Sequence, residues 1–348
     1  MEYYHLSEHI LQINRESERA QLEDFLKQQG LGLESDVEYC VALLEGERIV
    51  AAGCLAGRVC KSIAVDKAYQ GTGLLGKIIS SLTSEAFRRG RNHLFVYTKP
   101  ENWRFFREVG FYKIAEVAPK VVLLENDPLG LRNFLAELET RYVKEKNVSA
   151  IVVNCNPFTL GHQYLIEKAA ASSEVLHVFV LWEDRSSFPA EVRYRLVREG
   201  TKHLPNVYIH KGRDYIISEA TFPSYFLKEF HEIVEVHARL DLTIFKTHIA
   251  PVLGIKRRFV GEEPFCPVTR TYNKIMKKEL PESGIDVVEI PRFKVGGEAV
   301  SASRVRKLIG EGKMDVVQSL VPDTTMKFLL SKEAGPVISK IKAGYSRH

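Results

Sequence analysis

The sharpest chemistry-bearing run is Val152-Val153-Asn154-Cys155-Asn156-Pro157-Phe158-Thr159-Leu160-Gly161-His162, which leads into Gln163-Tyr164-Leu165-Ile166-Glu167-Lys168. A buried strand that enters a Pro turn, with Gly and His opening the next helix, exposes helix N–H groups where a phosphate can sit. Gly161 lets backbone or a base approach with no Cβ in the way, and His162 can hydrogen-bond a phosphate oxygen as charge develops. The competing interpretation is a helix-capping turn with a solvated histidine. A second run, Ala299-Val300-Ser301-Ala302-Ser303-Arg304-Val305-Arg306-Lys307-Leu308, puts two hydroxyls just before and at a helix start and two arginines in its first turn. Cations are disfavoured at that end unless an anion neutralises them, which points to bound phosphate. Seen alone, Ser303 would be an ordinary N-cap and the arginines a solvated face. A third run, Gln70-Gly71-Thr72-Gly73-Leu74-Leu75-Gly76-Lys77, follows the strand Lys61 to Val65, and free amides in such a Gly-rich loop make a pyrophosphate cradle.

Other residues are read more plainly. Cys155 is a small buried hydrophobe at a strand end, not a nucleophile. His231, His237 and His248 share no metal-ligand spacing with nearby carboxylates, and no metal site is expected. Lys256-Arg257-Arg258 is expected to be a solvated strand entrance, or a contact for an anionic partner. Arg213 and Asp214 could reach the phosphate site. No Ser-His-Asp arrangement or paired-carboxylate machinery is visible.

These runs need strands and helices to hold them. With 348 residues, 45% hydrophobic and 27% charged, 14 Pro and 23 Gly, the chain has the make-up of a globular protein of two domains, not a disordered, collagenous or coiled-coil one. The net charge of +5 suits a small anionic ligand better than a nucleic-acid track, so no nucleic-acid partner is expected. Five scattered cysteines without a C-x-x-C pair, no basic leader in Met1 to His5 and no apolar run of membrane length predict a cytoplasmic protein with no membrane partner. The fold class expected is α/β. Residues 35–118 supply a hairpin (Val37 to Leu44, Ile49 to Leu55), the strand Lys61 to Val65, the helix Gly76 to Arg89, the strand His93 to Thr98, the helix Asn102 to Val109 and the strand Phe111 to Ala115. A connecting helix, Leu131 to Val143, precedes strict alternation: strands 148–155, 175–181, 206–210, 258–260 and 286–290, helices 162–172, 190–202, 223–235, 268–280 and 302–311. That alternation predicts a parallel sheet with helices on both faces. The expected domains are 1–125, a connector at 126–147, and 148–348.

Thr159-Leu160-Gly161-His162 resembles the (H/T)-x-G-H signature of the nucleotidylyltransferase superfamily, and Val300 to Arg306 resembles its I-S-S-T-x-x-R signature. Thr at the first position departs from the commoner His, as in phosphopantetheine adenylyltransferases. Phe259-Val260-Gly261-Glu262-Glu263-Pro264, with Thr269, Tyr272 and Asn273, resembles the segment lining the adenine and substrate pocket. The likeness implies a Rossmann-like domain using ATP with Mg²⁺: Asn156, Gly161, Gly261 and Glu262 in the nucleotide pocket, Thr159 and His162 on the phosphates, and Ser301, Ser303 and Arg304 or Arg306 on the leaving pyrophosphate. Residues 35–118 resemble the Gcn5-related N-acetyltransferase fold, a mixed α/β domain, with Gln70, Gly71, Gly73 and Gly76 around the pyrophosphate of a CoA-like ligand. Two departures stand out. Leu75 replaces the usual Gly or Ala, shifting the cradle toward Gly76, and Phe106 stands where many such enzymes carry a proton-donating tyrosine. A domain that grips the arm without N-acetylation is expected, with Trp103, Phe105 and Phe111 in its core.

The order of the two domains resembles the citrate lyase ligase family. The resemblance implies an AMP-forming acid–thiol ligase: acetate and ATP give acetyl-AMP, and the thiol of a dephospho-CoA-derived prosthetic group on the citrate lyase acyl carrier protein takes the acetyl group. Competing expectations are an adenylyltransferase acting on a phosphate monoester, such as a pantetheine phosphate or nicotinamide mononucleotide, and a non-enzymatic acyl-CoA and nucleotide sensor.

Overall fold

The structure, a computed structural model, describes residues 6–183, 185–217, 222–227 and 229–345; Met1 to His5, where no basic leader was read, lies outside them. Residues up to Asn133, together with Pro223–Val236, make one compact unit, and Phe134–Phe222 with the residues from His237 onward make another.

The first unit contains β1 (Leu6–Leu11), α1 (Glu16–Gln28), β2 (Tyr39–Glu45), β3 (Arg48–Ala56), β4 (Val59–Val65), α2 (Leu74–Arg88), β5 (Phe95–Thr98), α3 (Trp103–Glu108), β6 (Tyr112–Val117) and β7 (Val121–Glu125). Its sheet runs β1-β2-β3-β4-β5-β7-β6. β2 and β3 read as nearly continuous apolar runs because both faces of the sheet are covered. Val41 and Leu43 pack with Leu74, Ile78 and Leu82 of α2, while Cys40, Ala42 and Leu44 on the alternate face pack with Leu22, Phe25 and Leu26 of α1. β1 and α1 went unread in the sequence. β4 and β5 are parallel and pair only at Val59↔Phe95 and Cys60↔Val96.

The second unit is built on β8 (Val148–Val153), α5 (Leu160–Ala171), β9 (Val175–Val180), α6 (Ala190–Gly200), β10 (Val207–Lys211), β11 (Arg257–Gly261), α9 (Pro267–Glu279) and β12 (Asp286–Ile290). α4 (Gly130–Glu139) and α7 (Phe230–Ile244) run into it, and α7 continues through a π-helical turn into α8 (Ala250–Leu253). A short hairpin, β13 (Lys294–Val295) and β14 (Glu298–Ala299), precedes α10 (Ala302–Gly310), α11 (Met314–Gln318), α12 (Asp323–Leu329) and α13 (Gly335–Tyr345). The five strands are all parallel in the order β10-β9-β8-β11-β12, the doubly wound arrangement expected from the alternation. In that topology the order reverses at β8, and its carboxyl end opens on the ligand crevice. No helix of the described residues is long and apolar enough to cross a membrane.

Two helices differ from expectation. The segment expected to be helical from 223 begins its helix at Phe230, because the Ser224 N–H and hydroxyl are both taken by Glu34 Oε1 at 2.7 Å. The connecting helix stops at Glu139, and Tyr142 beyond it is half exposed.

Candidate functional site

β8 delivers the chain into the turn 154–159, and Thr159 caps α5. The Thr159 hydroxyl lies 2.9 Å from His162 Nδ1, and the Thr159 backbone N–H donates to that same nitrogen at 3.1 Å. A backbone amide can only donate, so Nδ1 is unprotonated and the neutral ring carries its proton on Nε2. Burial, with the nearby Arg292 charge as a second cause, lowers the His162 pKa to about 4. At neutral pH His162 is therefore an uncharged donor in a fixed orientation. Thr159, which sets that orientation, is itself only 1% exposed. Gly161 is needed for a close approach: a Cβ there would stand 3.0 Å from the Val300 carbonyl oxygen. The helix start thus rests on the second motif. Two C-terminal contacts pin the turn, Leu160 N–H to the Leu320 carbonyl at 3.0 Å and the Thr325 hydroxyl to the Phe158 carbonyl at 2.9 Å.

On α10 the cap is Ser301, which accepts the Arg304 N–H at 3.2 Å; Ser303, the N-cap of the plainer alternative, lies inside the first turn and is exposed. The two arginines divide. Arg306 donates to the Asn156 carbonyl and so ties α10 to the first turn, while Asn156 Oδ1 accepts the Phe188 N–H at 3.0 Å. Arg304 pairs with Glu298 at 2.7 Å through Nη2, but its buried Nη1 has no hydrogen-bond partner among the described residues. A buried guanidinium N–H without an acceptor is costly, and an anion in the crevice would satisfy it.

In the first unit, Gln70, Gly71, Gly73 and Gly76 line a cavity of about 670 Å³ with Ile63, Tyr97 and Tyr225. Gly73 caps α2 at φ 83, a left-handed conformation that exposes the helix N–H groups, and Gly71 sits at φ 77. Leu75 also lines the cavity. Phe106 and Phe111 are core residues, at 6% and 1% exposure, and Trp103 packs at the core's edge. Phe105 was expected in the core too, but it is 57% exposed and lines the cavity, because α3 is short and turns that face outward.

The family model of the citrate lyase ligase C-terminal domain matches residues 148–329, and that of the acetyltransferase (GNAT) family matches residues 3–111. A citrate [pro-3S]-lyase ligase of Klebsiella pneumoniae is 42% identical over 90% of this chain and 92% of its own length. Those of Haemophilus influenzae and Escherichia coli K12 are 41% and 39% identical, over 88% and 89% of this chain and 94% and 90% of theirs. The chain belongs to the citrate lyase ligase family. Among solved structures, Escherichia coli ElaA aligns at 13% identity over 35% of this chain and 99% of its own, with a TM-score of 0.30. As a member of the citrate lyase ligase family the chain is a ligase, with an acetyltransferase-like first domain and a mixed α/β second one that holds the parallel sheet.

The remaining residues singled out in the sequence of this family member are placed as follows. Gly261 ends β11, and its carbonyl accepts from the buried Asn273 side chain at 3.1 Å. Glu262 is exposed, and its carbonyl accepts Arg292 Nε at 2.8 Å. Thr269 is exposed, and the Tyr272 hydroxyl donates to Asp241. Arg258, expected to be solvated, is 2% exposed and stacks over Phe245 at 4.3 Å, since it lies inside β11 where side chains alternate inward. Arg213 pairs with Glu137 at 2.5 Å. Cys155 is fully buried, and burial raises its thiol pKa far out of the reactive range. Sequence reasoning missed Arg292, the cation beside His162, although its place after β12 in a Pro-Arg-Phe run was a usable signal. It also missed Arg193, which is fully buried and donates to the carbonyls of Asn154 and Leu181 at 3.0 and 2.8 Å, joining the carboxyl ends of β8 and β9.

Proposed function

We propose that this chain acetylates the thiol of a dephospho-CoA-derived prosthetic group on the citrate lyase acyl carrier protein, consuming ATP and acetate and releasing AMP and pyrophosphate. The single observation that carries this reading is the convergence of a fixed Nε2–H donor at His162 and an unsatisfied Arg304 N–H on helix starts that Arg306 and Gly161 hold against each other. Acetate is ionised at neutral pH and attacks the α-phosphorus without a general base. His162 donates to the phosphate as charge builds, with Thr159 fixing its tautomer. Arg304, with the Ser301 and Ser303 hydroxyls beside it, neutralises the departing pyrophosphate, while Arg306 and Asn156 hold the turn in shape. Gly261 and Glu262 stand at the base side of the nucleotide. The thiol then attacks acetyl-AMP and AMP leaves.

Among the described residues no group of three His, Cys, Asp or Glu could hold a metal ion. Mg²⁺ would be carried in on the triphosphate, where its chemistry is to offset phosphate charge. Roles divide with residues 1–125, joined by Pro223–Val236, holding the thiol-ended arm at Gln70, Gly71, Gly73 and Gly76, residues 126–147 as connector, and the rest of residues 148–348 forming the adenylate. Five free cysteines suit the reducing cytoplasm in which such a thiol would work.

Product analysis tests the proposal. Free AMP and pyrophosphate should appear in equal amounts only when acetate, ATP and the deacetylated carrier are all present, with the carrier gaining one acetyl group by mass. AMP retained in a product would instead mark an adenylyltransferase, and binding without turnover a sensor.

A further inference from the structure

Backbone polar groups of alternate residues on a strand face the same edge. On β5, Phe95 donates its N–H to the Arg58 carbonyl at the β4 side, so the polar groups of Tyr97, two residues on, face that edge too. There β4 has already left: its pairing with β5 stops at Cys60↔Val96, and Ser62 turns through a left-handed conformation at φ 50. A carbonyl facing such a split needs another donor, and the Tyr225 hydroxyl supplies it by donating to the Tyr97 carbonyl. Tyr225 is itself anchored. Its carbonyl accepts the Gly32 N–H at 2.9 Å, and the neighbouring Ser224 is bound to Glu34, whose other oxygen pairs with the buried Lys61 at 2.8 Å. The ring therefore stands fixed in the split, in the same cavity that Gly71 and Gly73 line.

We propose that Tyr225 is the end wall of a blind slot: the cavity admits one thiol-ended arm from its Gly71–Gly73 side, and the tyrosine ring limits what can extend beyond the sulfur to a short acyl group. The proposal rests on reading the cavity as the holder of a CoA-like arm. With the split filled, no second molecule reaches the sulfur through it, so the thiol meets acetyl-AMP only once the arm has withdrawn past Gly71 and Gly73, and chain length is sensed by shape. Methylenes that cannot be seated lower affinity by about tenfold or more each.

Calorimetric titration of the full-length protein with dephospho-CoA and with its acetyl and hexanoyl thioesters tests the wall. The first two should bind with similar affinity and the hexanoyl thioester at least about tenfold more weakly. Tyr225→Ala should bring the hexanoyl thioester up to the acetyl value, whereas Tyr225→Phe, which keeps the ring and loses the hydroxyl, should discriminate as the unaltered protein does. Tyr225→Leu provides the same shortened wall should the alanine variant not fold. Equal binding of all three thiols and thioesters, or unchanged discrimination in the shortened variants, overturns the wall while leaving the arm reading intact. Failure of the unaltered protein to bind any of the three overturns the arm reading and the wall with it.

Discussion

His162 is held as an uncharged ring with its Nε2 proton free to donate, and the role proposed for it has a measurable consequence. His162→Ala should cut acetate-dependent exchange of pyrophosphate into ATP by about 10²- to 10³-fold, the usual loss of one preorganised donor, while leaving dephospho-CoA binding unchanged. Full exchange in a folded His162→Ala protein would contradict the site. That the placement of Gly161 and His162 at a helix start was legible in the sequence follows from its being local: a turn, a cap and a helix start lie within seven residues. Arg292 and Arg193 were not legible because their partners are set by which strand ends meet. Arg193 reaches Asn154, 39 residues away, only because β8 and β9 are neighbours in the sheet. The split between Arg304 and Arg306 was equally hidden, since helix phase alone does not say which guanidinium finds the Asn156 carbonyl 150 residues upstream.

At the level of elements, the cap of α2 offers a second test. Gly73→Val forces a β-branched residue into φ 83, at a cost of roughly 1–2 kcal/mol, and puts a side chain where the helix N–H groups open on the cavity. Acceptance of the acetyl group by the carrier should fall at least about tenfold, as a raised KM for the carrier, while pyrophosphate exchange stays near its unaltered rate. Equal loss of both activities would contradict the division of roles. The strictly alternating strands and helices of the second unit were readable because fully buried parallel strands are apolar along their whole length. The C-terminal helices α11 to α13 were not, although Val317, Leu320, Phe328 and Val337 join the core, because they follow no further strand that would signal a continuing sheet. The shifted start of α7 has the same origin: Glu34, 190 residues earlier, decides what Ser224 does.

For the whole molecule, acid sensitivity is built into the sheet. His177 on β9 and His210 on β10 are buried, with His177 Nδ1 2.9 Å from His210 Nε2. Burial lowers their pKa values to about 4 and about 3, His210 being lowered further by His177 and Arg141. The unfolded chain, with histidines near 6.5, binds more protons below that pH, so stability holds above about 6.5 and falls as pH drops toward 4, by up to about 1.4 kcal/mol per pH unit for each ring. The urea midpoint should therefore drop between pH 7 and pH 5, and His210→Phe should lose part of that drop. An identical pH dependence in the variant would rule out the pair as its source.

The grouping of Pro223–Val236 with the residues up to Asn133 also bears on how the chain is made. A nascent polypeptide emerges from the ribosome in order, so the first unit cannot close when residue 133 appears. It must wait for about a hundred further residues, several seconds at ordinary translation rates, before the tyrosine that fills its cleft is available. An expressed fragment that stops at the apparent boundary would leave that gap unfilled.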